Sequence, residues 1–345
     1  MITNKPICVT GASGFIASYV IRELLDNGYT VRATVRGLTK GNKYEYLTSL
    51  PGAAERLELV QAELLTECSY DEAIAGCEYA IHTASPYVLD VKDPQKDLVD
   101  PALKGTLNVL QACAKAGSVK KVVLTSSVAA VFDEPISGHV YTEEDWNKTS
   151  SLTRNPYFYS KTLAERYAWD YIEKENPGFE LVVVNPSVVI GASLVPSLNT
   201  SNQILRDVLA GTYPIIMSIS WGFVDVRDVA HAHVLAMENE KAKGRYLCTS
   251  ETLSMSEVVS ILREAGYSNY KLPKMKMTGK VGNAMVKILV STQPKGARTF
   301  IRTNVGRGVE YNNLKIRQEL GISFRSAKES ILEAVKDLLR WKHIS

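Results

Sequence analysis

Short β-branched segments alternate with helix-length amphipathic segments from residue 6 to about residue 185. The sequences PICVT, TVRATVR, LELVQA, YAIHTA, KKVVLTSS and FELVVVN are separated by segments such as SYVIRELLDNG and DPALKGTLNVLQACAKAG. This alternation predicts βαβ units and a parallel sheet. The short segments are almost entirely apolar, as in strands buried on both faces, so we expect helices on both sides of the sheet. The predicted class is α/β, with a doubly wound parallel sheet.

Beyond about residue 186 the alternation becomes irregular. A polar loop, SLNTSNQ, is followed by WGFVDVRDVAHAHVLAM, which returns to strand and helix, and then by TLSMSEVVSILREAG. We therefore predict a large domain over residues 1–185, with a return segment at about 222–250. A smaller lobe would comprise residues 186–221 and 251–345 and would pack on the carboxyl edge of the sheet.

Composition narrows the classes of partner. The 345 residues carry a formal net charge of only +3, so there is no strong global charge for nucleic acid or a membrane surface. The five cysteines are scattered without a C-x-x-C pair, which predicts reduced thiols rather than a disulfide framework or a zinc site. Neither a signal peptide nor a membrane-spanning run is evident. We expect a cytoplasmic monomer or homodimer with a small-molecule partner.

The stretch KLPKMKMTGK, residues 271–280, is rich in lysine. Pro273 and Gly279 interrupt any long basic helix there, so we interpret the stretch as a solvated face. His231 and His233 are two positions apart on a predicted helix and would point in roughly opposite directions. No metal site is therefore predicted.

A glycine-rich loop follows the first predicted strand and opens a helix. In VTGASGFIAS the residues Gly11, Gly14 and Ala17 have the spacing G-x-x-G-x-x-A. Gly11 permits a tight turn, Gly14 allows the backbone to approach a pyrophosphate, and the small Ala17 allows close packing. The N-terminus of the helix adds free N–H groups and positive potential. Strand, turn and helix occur in the required order, which predicts dinucleotide binding.

The second predicted strand ends in Arg36, where an NAD site usually has an acidic residue for the ribose hydroxyls. Lys40 and Lys43 follow. A guanidinium can hold a 2′-phosphate through paired charge-assisted hydrogen bonds, so NADPH is favoured over NADH. The alternative interpretation is a solvated arginine at a strand end.

The motif Y-x-x-x-K places a proton donor and a lysine on one face of a helix. It occurs four times, at Tyr157/Lys161, Tyr267/Lys271, Tyr270/Lys274 and Tyr311/Lys315. Pro273 interrupts one of the late matches, and the late matches lie beyond the nucleotide-binding repeats. Tyr157 instead opens a long helical segment after the fifth strand. That strand ends with Ser126 and Ser127 at the carboxyl edge, where ligands of open α/β sheets bind.

The motifs TGASGFIAS, HTASPY, VVLTSS, YFYSK, NPSVVIG and FVDVRDVAHAH occur in this order. With them the chain resembles the extended short-chain dehydrogenases/reductases over nearly its whole length. Within that superfamily it is similar to the branch of dihydroflavonol reductases, cinnamoyl-CoA reductases and fungal methylglyoxal reductases. The resemblance implies a Rossmann-type fold with a smaller C-terminal substrate-binding lobe, and reduction of a carbonyl by NADPH.

The resemblance also implies roles for the residues at matching positions. The catalytic set would be Ser127, Tyr157 and Lys161, with Ser127 preferred to Ser126 because it directly precedes VAAVF. The cofactor would be contacted at the glycine loop, at the ends of the second and third strands, beside the fourth strand and after NPSVV. The positions so implied are Gly11, Ser13, Gly14, Phe15, Ile16, Arg36, Lys40, Glu63, Leu64, Ala84, Tyr157, Lys161, Pro186, Val188 and Val189.

Two positions depart from the pattern of the branch. Glu63 stands where related chains usually carry aspartate before the leucine. Phe132 stands where flavonoid reductases carry an asparagine that binds the phenolic ring, which argues against a dihydroflavonol. The substrate is expected to contact Ser85, Tyr87, Phe132 and Phe223, a mostly apolar set that suggests an uncharged, hydrophobic or aryl aldehyde or ketone.

Two other functions share parts of this pattern. An NAD-retaining nucleotide-sugar epimerase or dehydratase has the same fold and triad, but Arg36 suits NADPH and no carboxylate pair flanks Ser127. A non-catalytic protein that senses a dinucleotide would tend to lack Tyr157 and Lys161. Consumption of NADPH with an added aldehyde distinguishes the three.

Overall fold

The structure is a computed structural model that describes residues 4–38, 42–85, 91–292 and 295–344. Its strands are β1 Ile7–Thr10, β2 Val31–Val35, β3 Leu57–Gln61, β4 Tyr79–His82, β5 Lys121–Thr125, β6 Val140–Tyr141, β7 Glu180–Pro186, β8 Val188–Ile190, β9 Ile215–Met217, β10 Ser220–Asp225, β11 Gly244–Cys248, β12 Glu251–Ser254, β13 Met275–Met277 and β14 Glu310–Tyr311. Its α-helices are α1 Phe15–Asp26, α2 Glu45–Thr48, α3 Ala53–Arg56, α4 Asp71–Ile74, α5 Asp100–Ala116, α6 Pro156–Glu175, α7 Thr200–Leu209, α8 Val226–Glu238, α9 Met255–Glu264, α10 Gly279–Leu289, α11 Lys295–Asn304, α12 Leu314–Leu320 and α13 Ala327–Arg340.

Seven of the strands form one parallel sheet in the order β3-β2-β1-β4-β5-β7-β11. All six strands predicted from the apolar runs are members of it. The chain winds outward from β1 in one direction through β2 and β3, and in the other through β4, β5 and β7. Adjacent parallel strands whose connections leave in opposite directions open a crevice at their carboxyl ends. That crevice lies between β1 and β4.

Both faces of the sheet are covered, as the apolar strands predicted. Along β5, Val123 packs with α1 and α8 on one face, whereas its neighbours Val122 and Leu124 pack with α5 and α6 on the other. The same alternation holds along β7, where Val182 and Val183 belong to opposite cores. Side chains of a strand point alternately to its two faces, so two separate helical layers are needed to bury them.

A third core lies in the later part of the chain. It is formed by a small sheet of β8, β10 and β12, by the pair β9 and β13, and by side chains from α7, α9, α10 and α13. The predicted return to the large sheet differs in extent from the observed one. Residues 222–225 belong to β10, which pairs with β8 and β12, so only α8 and β11 rejoin the large sheet. Among the described residues, no helix is long and apolar enough to cross a bilayer.

Candidate active site

The glycine loop connects β1 to α1 at the crevice. Gly11 has φ +70°, and a Cβ on it would lie 2.9 Å from the Cα of Ala84 in the loop after β4. Only glycine allows this backbone conformation and this close approach together. Gly14 is the N-cap of α1, has an N–H···O bond of 2.8 Å to the Gly11 carbonyl, and brings no side chain to cap the helix. The N–H groups of the first turn of α1, at Phe15 and Ile16, are thus available to an anion.

Thr10 fastens the loop after β4 to the end of β1. Its Oγ1 accepts hydrogen bonds from the backbone N–H groups of Thr83, at 3.2 Å, and Ala84, at 3.1 Å. With both acceptor sites used, the hydroxyl proton is donated to His82 Nδ1 at 2.7 Å. Burial, assisted by the charge of Lys161, lowers the pKa of His82 to about 3, so the imidazole is neutral. This contact holds Ala84 beside the glycine loop.

At the carboxyl end of β2, Arg36 follows the last residue of the strand and is exposed. Within the described part of the chain, no ion pair or side-chain hydrogen bond engages it. Glu63 and Leu64 follow β3; the Glu63 side chain is exposed, and Leu64 packs so closely on Gly105 that a Cβ there would lie 2.4 Å from Leu64 Cγ. Ser13, in the glycine loop, is also exposed. Lys40 lies outside the described residues.

The two serines after β5 have different surroundings. Ser126 is buried and donates its hydroxyl proton to Glu165 Oε2 at 2.5 Å. Ser127 is half-buried, and its Oγ accepts a hydrogen bond of 3.1 Å from the Ala129 N–H. The Ser126 proton is therefore committed, whereas the Ser127 hydroxyl can still donate its own proton to a ligand. This geometry supports the preference for Ser127.

The start of α6 is held by a buried acid. Asn155, the N-cap, has left-handed backbone angles of φ 48° and ψ 60°, and Pro156 begins the helix. The Asp133 carboxylate accepts hydrogen bonds from the Asn155 amide and, at 2.8 Å, from Arg154 Nε. These contacts fix a strained cap. They place Tyr157 in the first turn, where its ring meets Phe158 edge to face at 6.0 Å.

Lys161 lies one turn after Tyr157 and is buried. Its Nζ donates a hydrogen bond of 3.1 Å to Ser85 Oγ, in the loop after β4. Burial lowers the pKa of Lys161 to about 8, and the nearby carboxylate of Glu165 acts in the opposite direction. A lysine with this pKa keeps enough charge near neutral pH to stabilise a neighbouring anion.

The other three Tyr/Lys matches have different surroundings. Lys315 Nζ donates to the carbonyls of Lys243 and Arg245, both at 2.9 Å, and lies over the Tyr246 ring. Tyr267 and Tyr270 pack on each other, with ring centroids 6.0 Å apart, in the core of the later part of the chain. Lys271 and Lys274 are exposed. Their spacing arises from local helix and turn packing.

A buried acid that the sequence reasoning missed connects the site. The Glu165 carboxylate, one turn after Lys161, is fully buried and accepts from Ser126, from Asn185 Nδ2 at 2.7 Å and from Arg245 Nε at 2.5 Å. Asn185 Nδ2 also lies 3.2 Å from the Ser127 carbonyl. One carboxylate thus joins α6, β5, β7 and β11. A charged residue on the inward face of α6 is the signal that could have identified it.

The residues expected to contact the substrate differ in their exposure and surroundings. Phe132 is nearly buried and stacks on Tyr141, with centroids 4.5 Å apart, beside Tyr311. Tyr311 was missed as a neighbour of the site: a Cβ on Gly222 would lie 2.6 Å from its ring. The prediction for Phe223 is corrected, because its ring is 0% exposed in the core of the small sheet and meets no open space. Tyr87 lies outside the described residues.

The segment after β7 leads from the sheet to the later core. Pro186 is the last residue of β7, and Val188 and Val189 begin β8, which pairs with β10. Pro186 and Val189 are buried, whereas Val188 is partly exposed. This segment continues from Asn185, whose side chain contacts Ser127, so it lies at the same end of the sheet as the catalytic candidates.

The two histidines of α8 point apart, as their spacing predicted. His231 Nδ1 lies 2.5 Å from Glu23 Oε1 on an exposed surface. His233 is buried, with Nδ1 at 2.7 Å from the Val229 carbonyl and Nε2 at 2.7 Å from Thr125 Oγ1. Among the described residues, no cluster of three or more histidine, cysteine or acidic side chains is placed to hold a metal ion.

A crevice with a glycine loop on one side and a serine, a tyrosine and a lysine on the other defines a dinucleotide-dependent enzyme class. The sequence model of the NAD dependent epimerase/dehydratase family matches residues 7–248, and the chain belongs to this family of extended short-chain dehydrogenases/reductases.

Its relatives include several reductases. Cinnamoyl-CoA reductase CAD2 of Medicago truncatula is 47% identical over 275 residues, which is 78% of this chain and 82% of the relative. A bifunctional dihydroflavonol 4-reductase/flavanone 4-reductase of Malus domestica is 36% identical, over 98% of this chain and 91% of the relative. The crystal structure of yeast methylglyoxal/isovaleraldehyde reductase Gre2 complexed with NADPH superposes with a TM-score of 0.81. It is 29% identical and covers 98% of this chain and 99% of that chain.

Proposed function

We propose that this protein reduces an uncharged, hydrophobic or aryl aldehyde or ketone to the alcohol, with NADPH as the hydride donor. The observation that carries the proposal is the hydrogen bond of Lys161, one helical turn after Tyr157, to Ser85 in the loop that packs on the glycine loop. Ser127 follows β5 at the same edge of the sheet. The reductase relatives, and a structural neighbour determined with NADPH, support the same reaction class.

The residues of the crevice fit this cofactor. Gly14 caps α1 without a side chain, so the N–H groups of the first turn of α1 would be open to the pyrophosphate. Arg36 is exposed and forms no ion pair with the residues that the structure describes, and thus suits a 2′-phosphate. Ala84 would face the ribose side, and the Pro186–Val189 segment would meet the nicotinamide. When bound there, NADPH supplies the hydride.

Tyr157 would donate the proton to the oxygen that becomes the alcohol. A free tyrosine has a pKa of about 10, which is too high for easy proton exchange at neutral pH. The charge of Lys161 stabilises the phenolate and so facilitates this transfer. Ser127 would donate a hydrogen bond to the carbonyl oxygen and orient it. Glu165 would hold Ser127 and Lys161 in fixed relative positions. Its carboxylate accepts a hydrogen bond from Ser126, which precedes Ser127, and it lies one helical turn after Lys161.

A screen of carbonyl compounds tests the function. Wild-type protein and NADPH should consume the cofactor in a one-to-one ratio with aryl aldehydes and small ketones, measured at the NADPH absorbance band. An NAD-retaining epimerase would show no net consumption, and a sensing protein would bind NADPH without turnover. A dihydroflavonol or a coenzyme A thioester with the highest kcat/KM would contradict the substrate class but not the reductase class.

Arg36→Asp should shift the cofactor preference from NADPH toward NADH. A charged hydrogen bond contributes about 1.5 to 3 kcal/mol, so Arg36 alone should provide roughly ten- to hundredfold preference for NADPH. Aspartate repels the phosphate and accepts hydrogen bonds from ribose hydroxyls. The measurement is kcat/KM for NADPH and for NADH. In the variant, kcat at saturating cofactor should fall much less than kcat/KM for NADPH.

The matched control for that variant is Arg340→Asp, which makes the same charge change at an exposed position on α13. It should leave the ratio of NADPH to NADH efficiency unchanged. Equal use of both cofactors by the wild type, or an unmoved ratio in Arg36→Asp, would identify Arg36 as a solvated strand end.

A further inference from the structure

Helix α10 exposes an apolar stripe that the proposed reaction does not use. Val281, Met285 and Ile288 are spaced i, i+4 and i+7, so they lie on one face, and they are 75%, 48% and 70% exposed. A different face, about 100° around the helix, packs into the protein through Gly282 and Val286, which are buried. The stripe is therefore not the side that anchors the helix. Apolar side chains aligned in this way mark an interaction surface more often than a solvated one.

The same region holds most of the unbalanced positive charge of the protein. Residues 265–309 contain nine lysines and arginines and no acidic residue, so the net charge of +3 leaves −6 for the rest of the chain. The lysines nearest the stripe in sequence are Lys274, Lys276, Lys280 and Lys287. In the ranges that the structure describes, none of the four forms an ion pair. A surface of lysines alone would be stable in water, but the exposed apolar stripe beside these lysines is not explained by solvation.

The combination of charge and apolar surface selects the occupant. A second copy of the chain, packed about a two-fold axis on this stripe, would bring two acid-free basic segments together, which like-charge repulsion opposes. Nucleic acid would satisfy the charge but offer the stripe no apolar partner. An anionic lipid surface offers phosphate and carboxylate groups to the lysines and acyl chains to the stripe. The arrangement is that of a helix lying in a membrane interface, not one spanning a bilayer.

We propose that α10, together with the basic residues from Lys271 to Lys287, docks this protein on anionic lipid surfaces. The apolar stripe would enter the region between headgroups and acyl chains, and the lysines would rest among the headgroups. The docking does not depend on the proposed reductase activity, because neither the stripe nor these lysines belong to the crevice at β1 and β4.

Co-sedimentation of the full-length protein with lipid vesicles tests the docking. The protein should bind vesicles of phosphatidylcholine containing about one third phosphatidylserine, and binding to phosphatidylcholine alone should be at least tenfold weaker. Ile288→Asp should reduce binding about tenfold or more, because it puts a charge on the apolar stripe. Lys274→Gln combined with Lys276→Gln should reduce it roughly 25-fold, at about fivefold per lysine, and raised salt should act similarly.

Leu314→Asp is the matched control, since Leu314 is 54% exposed on α12 in a different part of the surface. It should bind vesicles like the wild type, and thermal unfolding of every variant should confirm that it is folded. No binding by wild-type protein, equal binding to neutral vesicles, or full binding by folded Ile288→Asp would overturn the proposal. A dimer that Ile288→Asp dissociates, without vesicle binding, would identify a second copy as the occupant. Binding to soluble polyglutamate that Ile288→Asp does not weaken would indicate an acidic protein instead.

Discussion

Replacing Tyr157 with phenylalanine should reduce kcat for carbonyl reduction by roughly 10² to 10⁴. The substitution removes only the hydroxyl proposed to donate the proton, and it keeps the ring that packs against Phe158. Affinity for NADPH should change little, because the proposed phosphate contacts are at the glycine loop and at Arg36. Steady-state kinetics for turnover, together with a fluorescence titration for NADPH binding, separate the two effects.

Tyr267→Phe and Tyr270→Phe provide matched controls within the same sequence motif. Their rings pack in the later core, away from Ser127 and Lys161, so both variants should retain near-normal turnover. Near-normal turnover in Tyr157→Phe would refute the proposed acid. Loss of turnover in a control instead would show that the catalytic pair was assigned to the wrong match.

Glu165→Gln should lower both the stability of the protein and the upper pH limit of its activity. The substitution leaves the buried guanidinium of Arg245 without its partner, and breaking a buried pair in this way costs about 3 to 5 kcal/mol. The Glu165 charge also favours the cationic form of Lys161, whose pKa is about 8. In the wild type, activity should fall as pH rises through the pKa of Lys161. Without the carboxylate the pKa of Lys161 drops further, so this decline should begin at a lower pH.

A denaturation curve and a kcat/KM profile from pH 6 to about pH 10 measure the two effects. Glu319→Gln is the control: this exposed carboxylate accepts from the Tyr246 hydroxyl at 2.6 Å and lies outside the crevice. The double variant Glu165→Gln/Arg245→Met leaves no unpaired buried charge and should recover part of the stability. Its pH profile should stay shifted, because Lys161 still lacks the carboxylate. If the double variant recovered the wild-type pH profile together with its stability, Glu165 would have only a structural role.

Several features of this protein follow from the sequence because their causes are local. The strands of the large sheet are short apolar runs, and the glycine loop has to combine a left-handed turn at Gly11 with a close approach of backbone. The helix containing Tyr157 and Lys161 begins directly after a strand-loop unit, so its position at the carboxyl edge follows from parallel topology. The opposite directions of His231 and His233 follow from helix geometry alone.

Other features depend on residues that meet only in the tertiary structure. Glu165 and Arg245 are 80 positions apart, and no periodicity reveals that their charges pair beneath Ser126. Tertiary packing likewise decided that β10 joins the small sheet. It also decided that Phe223 lies in a core rather than at an open surface. Apolar periodicity predicts that a side chain is buried. It does not predict which element the side chain packs against, because that depends on how elements distant in sequence cross. The fold class and the strands of the large sheet were therefore determined by the sequence, whereas the network around Glu165 was decided by packing.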